Sequence, residues 1–391
     1  MKIAFLSNAL TPHQKPFSDQ MYELLRENYF FVEFCPLTRE RMELGWKEQK
    51  EPYLIKYYLN EENKKKVNEI IESFDVIIYG SAPDKILVKR IKENKLTLKY
   101  AERFYRKKIN WKTFFRTVIG TYLHYGRFRK NKFYILCSSA YTAIDANMFI
   151  NFKNKCYKWG YFPKVEKYNI EELIKSKFSE KNNSCISILW VGRLVELKHP
   201  DISILLAEKL KNEGHNFKLS IIGTGELEEN LKAMIMEKKL SDCVNMLGGV
   251  SPEEVRKYMK DADIYLFTSD RNEGWGAVLN ESMNSGCAVV ASHAIGSVPF
   301  LIENEKNGLI YKDGDFEDFY KKVTILVNNK EKRQKLSRNA YFTIVDVWNA
   351  ENAAKRLIEL VQAILKGDKN PNIFKTGVCS RAEEIRDDWF E

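Results

Sequence analysis

Along the chain, short apolar runs alternate with amphipathic stretches, the pattern of parallel strands covered by helices. In the first half, the runs at 3–6, 30–34, 76–79, 96–99 and 134–137 predict strands. Residues 165–184 are polar and end in Asn182-Asn183-Ser184, which reads as an interdomain connection plus one helix. A doubly wound pattern then restarts. Strands are expected at 186–191, 218–222, 245–247, 264–267 and 288–291, and helices at 200–212, 226–238 and 277–284. Ser251-Pro252-Glu253-Glu254 is a further helix start, with Ser at the N-cap and Pro in the first turn. A last helix is expected at 349–365, and the aperiodic tail 366–391 should drape over the surface. This gives an α/β chain with a first domain at 1–164, a connection at 165–185 and a second domain at 186–350. Residues 351–391 form a helix and tail returning toward the first domain.

Length and composition agree with that division. A chain of 391 residues suits two domains, and 44% hydrophobic with 30% charged residues is the composition of a globular protein. No apolar run reaches the ~18–20 residues of a membrane span, and the apolar start is shorter than the ~7 residues of a secretory signal. The seven cysteines are scattered without a Cys-x-x-Cys pair. Reduced thiols in a cytoplasm follow, with neither a disulfide framework nor a zinc site.

Charge changes the picture more. Residues 1–165 hold 31 Lys/Arg against 17 Asp/Glu, a net of +14, whereas residues 166–391 hold 32 against 36, a net of −4. The first half should therefore seek an anionic partner: nucleic acid, an anionic membrane face or a diphosphate-bearing substrate.

The chemistry concentrates in Glu273-Gly274-Trp275-Gly276-Ala277-Val278-Leu279-Asn280-Glu281, followed by Ser282-Met283-Asn284-Ser285-Gly286-Cys287-Ala288. A strand ends at Thr268-Ser269, and a two-glycine loop then opens a helix, so the N–H groups at 274–278 can seat an anion. Glu273 before the helix and Glu281 within it could grip hydroxyls on either side of that anion. Either Glu alone would more simply be a solvated side chain. Together, the two Glu separated by seven residues, with Gly-Trp-Gly between them and Ser-Gly-Cys-Ala after, resemble the signature of the retaining glycosyltransferase family four. That resemblance implies the GT-B fold: two Rossmann-like doubly wound domains facing across a cleft. It also implies that Glu273 meets the donor sugar, that the backbone of Gly274, Trp275, Gly276, Ala277 and Val278 meets the phosphate, and that Glu281 meets the ribose.

Three more elements fit the family over roughly 186–350. In Gly192-Arg193-Leu194-Val195-Glu196-Leu197-Lys198, two cations follow a strand and a glycine turn, suited to the two phosphates of a nucleoside diphosphate. By the resemblance, Arg193 and Lys198 bind the donor diphosphate, and they would stabilise it as it leaves. Gly223-Thr224-Gly225 is similar to the turn lining the nucleotide pocket, and Met246-Leu247-Gly248 to the strand end beside the base. The N-terminal half matches only in outline. Its first loop, residues 8–14, has no glycine where relatives carry a Gly-rich loop, and Lys99-Tyr100-Ala101-Glu102-Arg103 has no His where several relatives have one. His13 or Glu102 stands as the alternative there, with Arg103 beside them on the acceptor side and His124 a poorer candidate. Asp261-Ala262-Asp263 reads as a helix end with capping and solvation roles, and Asp313-Gly314-Asp315 as a turn.

Residues 103–130 interleave basic and aromatic residues. On a helix, Phe104, Trp111, Phe115, Val118 and Tyr122 would form one stripe flanked by Arg106, Lys107, Lys112 and Arg116, either packed on the sheet or lying in an anionic membrane interface. The expectation is a glycosyltransferase taking a UDP- or GDP-sugar to a saccharide or lipid-linked acceptor in bacterial surface polysaccharide synthesis. It would need no metal or other cofactor, bind no nucleic acid, and reside in the cytoplasm, peripherally at the membrane's inner face. The rivals are a nucleotide-sugar epimerase of the same fold and a basic nucleic-acid-binding protein.

Overall fold

The computed structural model describes residues 1–43, 45–105, 111–178 and 185–390, without the side chains of Glu40, Glu43, Trp111 and Phe149. The chain forms two units, Met1–Lys164 with Trp348–Arg386, and Val165–Val347 with Asp387–Glu391.

The first unit is a seven-stranded parallel sheet: β1 (Ile3–Ser7), β2 (Tyr29–Glu33), β3 (Leu54–Lys56), β4 (Val76–Tyr79), β5 (Leu96–Ala101), β6 (Phe133–Cys137) and β7 (Cys156–Lys158), in the order β3-β2-β1-β4-β5-β6-β7. Ile3 of β1 sits opposite Tyr29 on one side and Val76 on the other. The central strands are continuous apolar runs because both faces are covered, with Leu6, Ile77 and Ile135 packing against helix residues such as Val67, Ile70 and Ala143. Strands β3 and β7, three residues each, were not expected; they are edges too short to leave a pattern. The tail does not drape over the surface. Cys379 N–H donates to the Lys158 carbonyl (2.8 Å), Lys158 N–H to Ser380 (2.8 Å) and Ala382 N–H to Cys156 (3.0 Å), while Val378 and Cys379 are buried. An edge strand leaves unpaired backbone groups, and the tail covers them. Backbone bonding of this kind needs no side-chain period.

The second unit repeats the plan with β8 (Ile186–Val191), β9 (Phe217–Ile222), β10 (Val244–Gly248), β11 (Ile264–Phe267), β12 (Ala288–Ser292) and β13 (Leu309–Tyr311), ordered β10-β9-β8-β11-β12-β13. The helix Pro252–Asp261 begins with a full capping box between Ser251 and Glu254. Strand β13 and the helices Phe316–Asn328 and Lys330–Phe342 were not expected. The segment expected as a connection carries the helix Ile170–Lys177, part of the second unit, whose Ile170 and Ile174 pack with Phe178 and Tyr341. Its Asn182-Asn183-Ser184 stretch lies outside the described residues. Asp263 does not act as a solvated cap. Its buried carboxylate accepts from Ser187 N–H (2.8 Å), while its own N–H donates back to the Ser187 carbonyl (2.9 Å), joining β8 to β11.

Each sheet reverses its strand order once, between β1 and β4 in the first unit and between β8 and β11 in the second. In open parallel sheets the loops at the C-terminal ends of the strands flanking such a reversal form the natural ligand crevice.

Candidate functional site

In the second unit, the loops after β8, β9 and β10 are tied together by backbone. Gly192 N–H donates to Ile222 (3.0 Å), Leu194 N–H to Thr224 (2.9 Å), Leu227 N–H to Leu194 (3.0 Å) and Gly223 N–H to Gly248 (2.8 Å). The closeness explains the glycines: a Cβ on Gly223 would lie 1.8 Å from the Gly192 carbonyl oxygen, and one on Gly225 2.4 Å from that of Leu194. Met246 and Leu247, half-buried, end the same edge. The loop after β11 joins the group through a relay. The Trp190 indole donates to the Thr268 hydroxyl (2.8 Å), which donates to the Lys198 carbonyl (2.6 Å), and Asp270 N–H donates to Leu197 (2.9 Å).

This sewing brings Lys198 against Glu273, 75 residues on, in a charge-assisted hydrogen bond between mostly buried side chains. The Ser269 hydroxyl also donates to Glu273 (3.2 Å), and Gly296 N–H holds the Glu273 carbonyl (3.2 Å). Arg193, expected as the second cation, is exposed and has no ion-pair partner among the described residues. Trp275 is fully buried, its indole donating to Asn280 (2.8 Å), so only its backbone can face a ligand. Gly276 has φ +76°, and a Cβ there would lie 2.3 Å from the Phe267 ring. Among the described residues, no carbonyl accepts from the N–H groups of Gly276, Ala277 or Val278. Glu281 lies in the helix Val278–Asn284; its backbone carbonyl accepts from the Arg256 guanidinium (2.8 Å), while its carboxylate accepts no hydrogen bond from a described residue. Burial raises the pKa of its carboxyl group, against the pull of Arg256.

In the first unit, a cavity of ≈ 610 Å³ opens at the ends of β1, β4 and β5, and His13, Glu102 and Arg103 all line it. His13 lies edge-on to Trp46 (5.6 Å between centroids) and 6.0 Å from Tyr161, with Nδ1 buried and unpartnered. Burial, then the charge of Arg41, lowers its pKa to about 4, so the ring is neutral at physiological pH. Glu102 accepts from the Tyr161 hydroxyl (2.7 Å). Arg103 stands over the Tyr141 ring (4.8 Å) and pairs with Asp145 at 3.4 Å. His124 is exposed on the helix Trp111–His124. In the glycine-free first loop, Ala9 N–H donates to Asn8 (2.9 Å) and Leu10 N–H to the buried Glu33 carboxyl (2.6 Å), so those donors are already taken. Arg41, Trp46 and Tyr161 were not anticipated; they come from segments with no period to read. Among the described residues, no three His, Cys, Asp or Glu side chains converge as a metal site, and Asp315 caps the helix Phe316–Asn328.

A chain with two such sheets and a stitched glycine crevice invites comparison with known proteins. Residues 170–342 match the family described as Glycosyl transferases group 1. Relatives include the amylovoran biosynthesis glycosyltransferase AmsK of Erwinia amylovora, 36% identical over 155 residues (38% of this chain, 36% of the relative). Another is the putative colanic acid biosynthesis glycosyltransferase WcaL of Escherichia coli K12, 33% identical over 135 residues (33% of each chain). The chain thus aligns with about a third of each relative's length. Both of these relatives are named for bacterial polysaccharide biosynthesis. Among solved structures, HepE from Anabaena in complex with UDP superposes with a TM-score of 0.67 at 14% identity, covering 93% of this chain and all of HepE. Sucrose-phosphate synthase from Thermosynechococcus elongatus gives 0.65 at 14% identity, covering 94% and 100%. The fold is GT-B.

Proposed function

We propose that the chain is a retaining family-four glycosyltransferase. It moves a sugar from a UDP- or GDP-sugar to the hydroxyl of a saccharide or lipid-linked acceptor in bacterial surface polysaccharide synthesis. The observation that carries the reading is the Lys198–Glu273 pair set among the glycine loops at the β8/β11 reversal, with the buried Glu281 carboxylate accepting no hydrogen bond among the described residues. Arg193 and Lys198 neutralise the diphosphate as its bond to the anomeric carbon breaks, a role in which fixed cations stand in for a metal. Lys198 already holds Glu273, so the cation that meets the phosphate also orients the carboxylate that meets the sugar hydroxyls. The N–H groups of Gly276, Ala277 and Val278 face the phosphate, and Glu281 takes the ribose hydroxyls. Retention rests on the sequence resemblance, a polysaccharide acceptor on the relatives, and UDP on the ligand of HepE. The first unit's cavity, walled by Trp46 and Tyr161 with neutral His13 between them, suits a sugar ring and its hydroxyls.

The test is thermal stabilisation by a panel of nucleoside diphosphates and their sugars, with and without magnesium, for the wild type and Glu281→Ala. One nucleotide should raise the melting temperature regardless of magnesium, and the variant should lose most of that shift. Turnover by Lys198→Ala should fall ~100-fold or more. If no nucleotide stabilises the folded protein, the donor reading is wrong. Donor turnover without any acceptor would move the epimerase ahead.

A further inference from the structure

The helix Trp111–His124 is built inside out. Its half-buried face carries mostly small or hydroxylated residues, Thr113, Thr117, Gly120 and Thr121, together with Val118, and the Tyr105 hydroxyl donates to Thr121 (2.9 Å). The large apolar side chains point the other way. Phe115 is 74% exposed, Ile119 58% and Leu123 53%, and Phe114 and Tyr122 are exposed beside them. A helix that only packs on its own sheet has the reverse arrangement, and a contiguous apolar stripe on a surface marks something that covers it. Phe104 and Val118, expected on this stripe, are not part of it: the Phe104 ring packs on Tyr125 (5.2 Å) at the core's edge, and Val118 is half-buried. Arg106 and Lys107, and the side chain of Trp111, lie outside the described residues.

Charge selects the covering partner. Residues 103–132 hold ten Lys/Arg and no Asp or Glu. Lys112 and Arg116 are exposed on the helix, Arg127 and Lys130 are exposed just after it, and Arg129 stands over the Tyr122 ring (5.6 Å). A second copy of this chain is a poor fit, because an isologous contact would set these cations against their own counterparts. A polyanion alone would leave the Phe, Ile and Leu side chains in water. An anionic bilayer satisfies both, with acyl chains for the stripe and phosphates for the flank. We propose that this helix lies in the interface of an anionic phospholipid membrane, inserting Phe115, Ile119 and Leu123 and setting Lys112 and Arg116 among the headgroups. The inference stands apart from the donor site, since it uses none of its residues.

Co-sedimentation with phosphatidylcholine vesicles, with and without phosphatidylglycerol, tests it. The wild type should bind the phosphatidylglycerol vesicles and release as salt rises. Phe115→Ser with Ile119→Ser should cut partitioning by about tenfold or more for each apolar side chain removed. Lys112→Glu with Arg116→Glu should abolish the preference for anionic lipid. Both doubles replace exposed side chains, so the melting temperature and its nucleotide-induced shift should match the wild type. If one double does not fold, the other decides. Equal binding to both vesicle types, or binding that survives the serine changes, overturns the proposal. So does a dimer by light scattering that the serine changes split while no vesicle is bound.

Discussion

The two units share a strand order but build the crevice at its reversal differently. Beside β8 and β11 it is made of backbone. Gly223 and Gly225 let two loops approach to distances no Cβ would permit, and the side chains that enter are a locked ion pair and one lone carboxyl. Beside β1 and β4 there is no such approach. Rings and cations (Trp46, Tyr161, His13 and Arg103) line a cavity instead, and the first loop spends its N–H groups on Asn8 and Glu33. Backbone cannot be altered by substitution, which suits a ligand part that never changes, such as a diphosphate. Side chains can be exchanged, which suits an acceptor that differs among relatives.

The comparison breaks most readily at its glycines. Gly223→Ala would put a methyl group 1.8 Å from a backbone oxygen, where neither partner can turn away. A loss above ~4 kcal/mol is expected, seen as failure of the second unit to fold. Gly80→Ala in the first unit meets only side chains, Tyr100 at 3.0 Å and Ser7 at 3.4 Å, which can shift. About 1 kcal/mol is expected there, read from the urea midpoint. Equal costs would mean that the two crevices do not differ in kind.

The same contrast explains what could be read beforehand. Strands β1, β4, β8 and β11 are buried on both faces and show as apolar runs; β3, β7 and β13 are three-residue edges and do not. The helix Lys330–Phe342 is rich in Lys and Arg and buries Arg333 against the carbonyls of Leu326 and Val327, so its inward face does not look apolar. In the helix Phe316–Asn328 the buried Phe319, Val323 and Leu326 do keep a helical spacing, which was there to be read. The backbone-built crevice was legible because its glycines are contiguous in short motifs. Its central ion pair was not, since Lys198 and Glu273 meet only once the sheet sets their loops together. Of the side-chain-built cavity, His13, Glu102 and Arg103 could be named from strand ends, whereas Arg41, Trp46 and Tyr161 depend on where aperiodic chain folds back.

Acid should find the first unit's weakness. The pKa of His13 is about 4 when folded, against about 6.5 for a free imidazole. Between those values the unfolded chain binds a proton that the folded one refuses. Stability is therefore whole above pH 6.5 and falls as pH drops toward 4, by at most about 3 kcal/mol. His13→Phe should flatten that part of the pH dependence of the melting temperature. A slope unchanged by the substitution would mean that the ring is not held neutral.

In the second unit, the corresponding smaller effect falls on Glu281. Burial raises its pKa, so the folded state disfavours the carboxylate. Its contribution is fully present below the unfolded pKa and is lost as pH rises through the folded one, so above the unfolded pKa the buried group costs stability. Glu281→Gln removes the charge and keeps the shape, and the free protein should become more stable at neutral pH by about 1 kcal/mol or less. A group kept at a cost in the free state should earn it back when ligand hydroxyls donate to it. The gain in melting temperature should therefore come with a weaker nucleotide-induced shift, and it should shrink as pH is lowered and the native Glu281 takes up its proton. Glu281→Gln that stabilises without weakening the nucleotide shift would make the residue a structural relic. One that destabilises would show that its carboxylate is already satisfied in the free protein.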